Sequence, residues 1–94
     1  MTRDDFEWDE TKAVENYAKH GVSFEQACEA FDDPFATEFA DDREDYREDR
    51  IILVGVVKGR LLVVAHTLRG DKVRIISARE AEPRERRRYH EENG

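Results

Sequence analysis

The apolar positions of this chain change period partway along, dividing it into a helical first third and a strand-rich remainder. Phe24, Ala27, Cys28 and Phe31 fall at i, i+3, i+4 and i+7, one face of a helix. Ser23 opens that helix as an N-cap, with Gln26 in the capping-box position, and Asp32-Asp33-Pro34 closes it. Ahead of it, Asp9 reads as the N-cap of a helix over residues 10–20. Glu10 sits in its first turn, where the helix dipole favours an anion, and Gly21 supplies the left-handed residue that ends it. Val14, Tyr17 and Ala18 are the expected apolar stripe of this first helix. The alternating Phe6-Glu7-Trp8 reads as a short edge strand or an anchoring turn.

Beyond Pro34 the pattern is that of strands. Residues 35–39 form one, with Phe35, Thr37 and Phe39 on one face. Residues 41–49 are an acidic, turn-rich loop whose only apolar position is Tyr46. Residues 50–57 and 60–67 are nearly continuous apolar runs joined by Lys58-Gly59, which predicts a hairpin of central strands covered on both faces. A turn over 68–71 leads to a strand over 72–77, and Glu82-Pro83 starts a last helix with proline at its first position. Glu80–Arg84 and Glu82–Arg86 have the spacing of i,i+4 pairs on that helix. Two helices, four strands and a helix predict one α+β domain over 1–94, with a four-stranded, mainly antiparallel sheet.

Charge changes this picture more than composition does. The net charge of −7 hides an asymmetry: residues 1–49 carry 5 basic and 17 acidic side chains, residues 50–94 carry 11 and 6. The whole chain repels a polyanion, yet its second half suits one and its first half suits a basic partner. No apolar run is long enough to cross a membrane, and the acidic start lacks the apolar core of a signal peptide. A lone cysteine, Cys28, forms no internal disulfide, which fits a reducing cytoplasm, and it falls on the buried stripe rather than in a reactive setting. Asp32-Asp33 and Asp41-Asp42 lack metal-ligand spacing and are explained by a helix stop and a polar loop, so no metal or other cofactor is expected.

Several blocks together resemble the BrnT toxin family. They are Phe6-Glu7-Trp8-Asp9, Lys12, Asn16, Lys19-His20-Gly21-Val22-Ser23-Phe24, Phe31-Asp32-Asp33-Pro34, Arg50, Gly55, Thr67, Arg69-Gly70 and Arg74-Ile75-Ile76-Ser77-Ala78-Arg79. The resemblance spans nearly the whole chain in order. It implies a RelE-like fold, a ribonuclease of a type II toxin–antitoxin pair, and neutralisation by a BrnA-like antitoxin with a ribbon-helix-helix domain, in a heterotetramer. A non-catalytic antitoxin-binding or co-repressor module is the alternative that the acidic half suggests.

Metal-independent RNA cleavage needs a base, an acid and cations at the phosphoryl oxygens. Arg69, Arg74 and Arg79 are the expected cations, gathered in one solvent-reachable hollow; the competing reading pairs them with carboxylates of the acidic half. His66 and His20 are the acid–base candidates, against a core-edge histidine and a helix C-cap respectively. Lys19, Lys72, Arg84, Arg88 and Tyr89 are candidates for contacting RNA, although Tyr89 also reads as the apolar anchor of the last helix, and the arginine run there as a solvated face. Glu85 lies between those arginines, placed to orient one of them.

Overall fold

A computed structural model describes residues 1–42 and 48–93; positions 43–47 of the expected acidic loop, Tyr46 among them, lie outside the described residues. After a single 3-10 turn (Arg3–Asp5) come β1 (Phe6–Glu7), α1 (Glu10–His20), α2 (Phe24–Ala30), β2 (Thr37–Ala40), β3 (Ile51–Val57), β4 (Arg60–Arg69), β5 (Lys72–Glu80) and α3 (Pro83–Asn93). The sheet therefore has five strands rather than the expected four, in the order β1-β5-β4-β3-β2. The fifth is the Phe6–Glu7 pair, which lies parallel to Val73 and Arg74 of β5, while all other pairings are antiparallel.

The caps form as the sequence predicts. The Asp9 carboxylate accepts the amides of Thr11 and Lys12 at 2.8 and 3.2 Å, and Gly21 closes α1 at φ 68°, a conformation costly for any residue with a Cβ. Ser23 and Gln26 bond reciprocally across the first turn of α2. The stripe expected on α1 does not hold: Val14 and Tyr17 are 69% and 59% exposed and Ala18 is exposed too. The inward face of α1 instead carries Ala13 and the buried Asn16, because the element beneath is the free edge of β5, whose peptide groups need a polar partner. The Asn16 amide supplies it, donating to the carbonyls of Ala78 and Val22 and accepting from the Ala78 amide.

The sheet buries both faces, as its continuous apolar strands predict. On one face α1 and α2 pack over Leu53, Leu62, Val64, Val73, Ile75 and Ala78. On the other, a smaller cluster of Ile52, Val54, Leu61, Val63 and Ala65 meets Ala81 and Tyr89. Helix α3 is pinned across this second face by Asp33, whose carboxylate accepts the Tyr89 hydroxyl at 2.7 Å and the Val56 amide at 2.8 Å. Burial by itself would raise Asp33, but the bonds from Tyr89, Val56 and Phe35 outweigh it and hold the carboxyl below its ordinary range. Burial, and then the Asp33 carboxylate, push the Tyr89 phenol up to about 12.

Strand ends differ from expectation for local reasons. The Phe35 amide donates to Asp33 in a tight Asx turn, so β2 starts only at Thr37 and Phe35 points to solvent. β4 runs on to Arg69 and β5 to Glu80, shrinking the turn to Gly70-Asp71. Glu80 is thus a strand residue and pairs with Arg60 across the sheet at 3.2 Å, not with Arg84 on α3.

Candidate nucleic-acid interface

An irregularity in β5 sets the direction of its arginines. Ala65 pairs with Ser77 but His66 pairs with Ile75, so Ile76 is an extra residue, a β-bulge. Val73 and Ile75 before the bulge and Ala78 after it all bury beneath the helix pair. Arg74 and Arg79, which strict alternation would send to opposite faces, therefore project from the same α3-bearing face.

On that face lies a cleft of about 500 Å³ between β2 and α3. Ile52, Val54 and Val63 form its floor, Phe39 and Ala40 one wall, and Arg79, Arg84, Glu85, Arg88 and Tyr89 the other, with Asp41 and Asp42 at the rim. The Arg79 guanidinium is held in a two-pronged grip by Glu85, with both N–O distances 2.7 Å. That hydrogen bonding outweighs burial and keeps the Glu85 carboxyl below its ordinary range, helped by the Glu82 amide and the charges of Arg79 and Arg84. Arg88 makes an exposed pair with Glu92 at 3.0 Å and lies over the Phe39 ring, 5.1 Å from its centroid. Arg84, Arg86 and Arg87 have no carboxylate partner among the described residues, so the arginine run is not simply a set of helix-internal ion pairs.

The other expected site residues lie elsewhere, and the single hollow of three arginines does not form. Arg69 is exposed at the far end of the β4–β5 hairpin, opposite Lys72, seven strand residues or roughly 20 Å from the Arg79 position. Arg74 reaches Glu7 of β1 at 3.1 Å. Lys72 donates to the Asp4 carbonyl. Lys19 and His20 end α1, outside the cleft lining. Tyr89 lies on the cleft wall as a buried anchor, with its hydroxyl on Asp33. Phe39 was visible as an alternating strand position, but only the sheet register, which pairs it with Ile52, puts it over the cleft.

His66 is 2% exposed and sits under the helix pair, edge-on to Phe31 with ring centroids 4.8 Å apart. It faces away from the cleft, and its Nδ1 has no hydrogen-bond partner among the described residues. Burial lowers its pKa, against a backbone hydrogen bond of Val64 and the charge of Glu38. Because the folded pKa lies below the unfolded one, the neutral ring's contribution is complete above about pH 6.5 and is lost as pH falls through the folded value. Stability to urea should therefore begin to fall as pH drops below about 6.5, and His66→Leu should flatten that fall. An unchanged profile in His66→Leu would assign the acid sensitivity to another group.

No group of three or more His, Cys, Asp or Glu side chains arranged for a metal ion occurs among the described residues, and no helix there is long and apolar enough to cross a membrane. Cys28 is half-buried and its thiol is pushed up to about 11, mainly by burial, so it is a packing residue rather than a nucleophile.

A sheet closed on one face by a helix pair and left half-open on the other, beneath a basic helix, defines a small α+β domain. The chain belongs to the BrnT family: the family model described as the ribonuclease toxin BrnT of type II toxin-antitoxin systems matches residues 8–85. This family membership gives it a ribonuclease toxin's role, with RNA as substrate and a protein antitoxin as partner. No match was found among curated proteins. The family match ends at Glu85, so Arg86, Arg87, Arg88 and Tyr89 of α3 lie beyond it.

Proposed function

We propose that the protein cleaves RNA without a metal ion, by attack of a 2′-hydroxyl on the adjacent phosphate, on the α3-bearing face of a RelE-like sheet. In this reading a ribbon-helix-helix antitoxin of the BrnA kind silences it in a cytoplasmic heterotetramer. The observation that carries the catalytic part is the placement of Arg79, turned by the bulge into the cleft beside Arg84 and Arg88. A carboxylate gripped by two guanidinium N–H groups matches the geometry of a bound phosphate. The substrate phosphate takes the place of Glu85 on the Arg79 fork, and the released, ionised Glu85 accepts the 2′-hydroxyl proton as the 2′-oxygen bonds to phosphorus, while the bond from phosphorus to the 5′-oxygen breaks and that oxygen takes a proton from water. Arg84 adds charge to the oxygens of the phosphoryl group.

The alternative, a non-catalytic antitoxin-binding module and co-repressor, draws support from one feature. Arg74 and Arg79 are each already engaged by a carboxylate of the same molecule, Glu7 and Glu85. Incubation of purified protein with RNA in EDTA separates the readings. The nuclease reading expects cleavage to persist in EDTA, to fall about 100-fold or more in Arg79→Met and to fall far less in Arg69→Met, with antitoxin binding retained in both. RNA left intact by the wild-type chain, together with no growth arrest on expression, would sink it and leave the co-repressor.

A further inference from the structure

We infer that the cleft between β2 and α3 is a base-binding subsite. It takes one unstacked nucleobase of a single-stranded RNA, with Phe39 as the platform and Arg84 beside the adjoining phosphate. The inference rests on RNA being the substrate, and adds to it a site that the catalytic arginine alone does not provide.

Three observations converge. The cleft has an apolar floor of Ile52, Val54 and Val63 and a volume of about 500 Å³, ample for a planar heterocycle and its sugar. Phe39 is 38% exposed on the cleft wall, and the planar Arg88 guanidinium already lies over its ring, marking a stacking position. The Arg88–Glu92 pair is solvent-exposed, so little opposes Arg88 moving onto the far face of an incoming base.

The charges favour a base over a second phosphate at this spot. The exposed Asp42 at the rim repels an anion, but a base is neutral, and a carboxylate accepts hydrogen bonds from exocyclic amines. Unstacked bases on aromatic and arginine planes are the usual way proteins read single-stranded RNA. Phe39 lies within the family match and Arg88 beyond it.

The test uses a fluorescein-labelled RNA hexamer with 2′-O-methyl groups, which lacks the attacking hydroxyl, read by anisotropy. Phe39→Ala should weaken binding about tenfold, within the range observed for removing a stacked aromatic. Phe39→Leu keeps the apolar bulk and should weaken it similarly while leaving the urea midpoint unchanged, so loss of fold is separated from loss of the π-face. Arg88→Met should cost about threefold, and a hexamer with abasic positions should bind wild type no better than the intact hexamer binds Phe39→Ala. Hexamer binding by Phe39→Leu and Arg88→Met equal to wild type, in a protein that still cleaves unmodified RNA, overturns the subsite alone. Unchanged hexamer binding with weakened capture of the cognate antitoxin assigns the cleft to a protein segment and also overturns it. A wild-type chain that neither binds the hexamer nor cleaves RNA brings down the nuclease reading as well.

Discussion

Asn16→Ala is expected to cost about 4 kcal/mol of stability and to leave the domain partly unfolded at 37 °C. The reason is an edge that no strand covers. β1 pairs with β5 only at Val73 and Arg74, so the outer edge of β5 farther along runs beneath α1 without a neighbour. The Asn16 side chain fills the gap at Ala78, accepting its amide at 3.1 Å and donating to its carbonyl at 2.8 Å, while the second amide proton reaches the Val22 carbonyl at 3.0 Å. Asn16 is 8% exposed, so water does not replace these bonds when the amide is removed. Each buried group left without a partner costs about 1–3 kcal/mol, and the loss falls on a fold whose total stability is on the order of 5–15 kcal/mol. Asn16→Asp sharpens the test. It keeps the acceptor for the Ala78 amide but aims a carboxylate at two carbonyl oxygens. It should be at least as damaging at pH 7, with partial recovery under acid where the carboxyl protonates. Urea titrations of the three proteins decide the matter, and an Asn16→Ala midpoint equal to wild type would show that α1 is not held through this amide.

Gly55→Ala should destabilise by about 3 kcal/mol, at the upper end of what overpacking costs. Gly55 lies in β3 under the end of α2, and a Cβ there would sit 2.6 Å from the Ala30 carbonyl oxygen. The obstacle is backbone of a helix already seated on the core through Phe24 and Ala27, so relief requires lifting α2 off the sheet. Gly55→Val should be worse, and both should lose RNase activity only in proportion to the unfolded fraction. Because the nearest atom is a peptide oxygen, adding Ala30→Gly should not rescue Gly55→Ala. Full rescue in thermal melts would relocate the clash to the Ala30 methyl, 3.4 Å away.

Local signals were legible wherever the deciding interactions are close in sequence. The Asp9 and Ser23 caps, the Gly21 stop, the Lys58-Gly59 hairpin and the Pro83 helix start are set within a few residues, and each is present. The stripe of α2 and the two-sided burial of β3 and β4 followed from composition and period. Glu85 as the partner of an arginine was visible too, although the arginine turned out to be Arg79 of the sheet rather than one on its own helix.

The errors share a cause: each depended on what lies opposite a residue. Period alone could not tell that α1 faces a sheet edge, where an amide is worth more than Val14 or Tyr17, nor that Phe6–Glu7 would find a parallel partner in β5. Whether Arg74 and Arg79 share a face turns on one inserted residue at Ile76, and a bulge is fixed by pairing with β4. His66 looked like a core-edge or catalytic group with equal right until register put it under the helix pair, against Phe31.

The sequence by itself thus determined the element types, their caps and turns, the charge division, and the family to which the motif order points, because those are set by neighbouring residues. Only the tertiary structure decided which arginine meets the cleft, which carboxylate holds it and which histidine is shut away. Those outcomes depend on register and packing between segments far apart in the chain, and one residue of slip reverses the face on which a side chain acts.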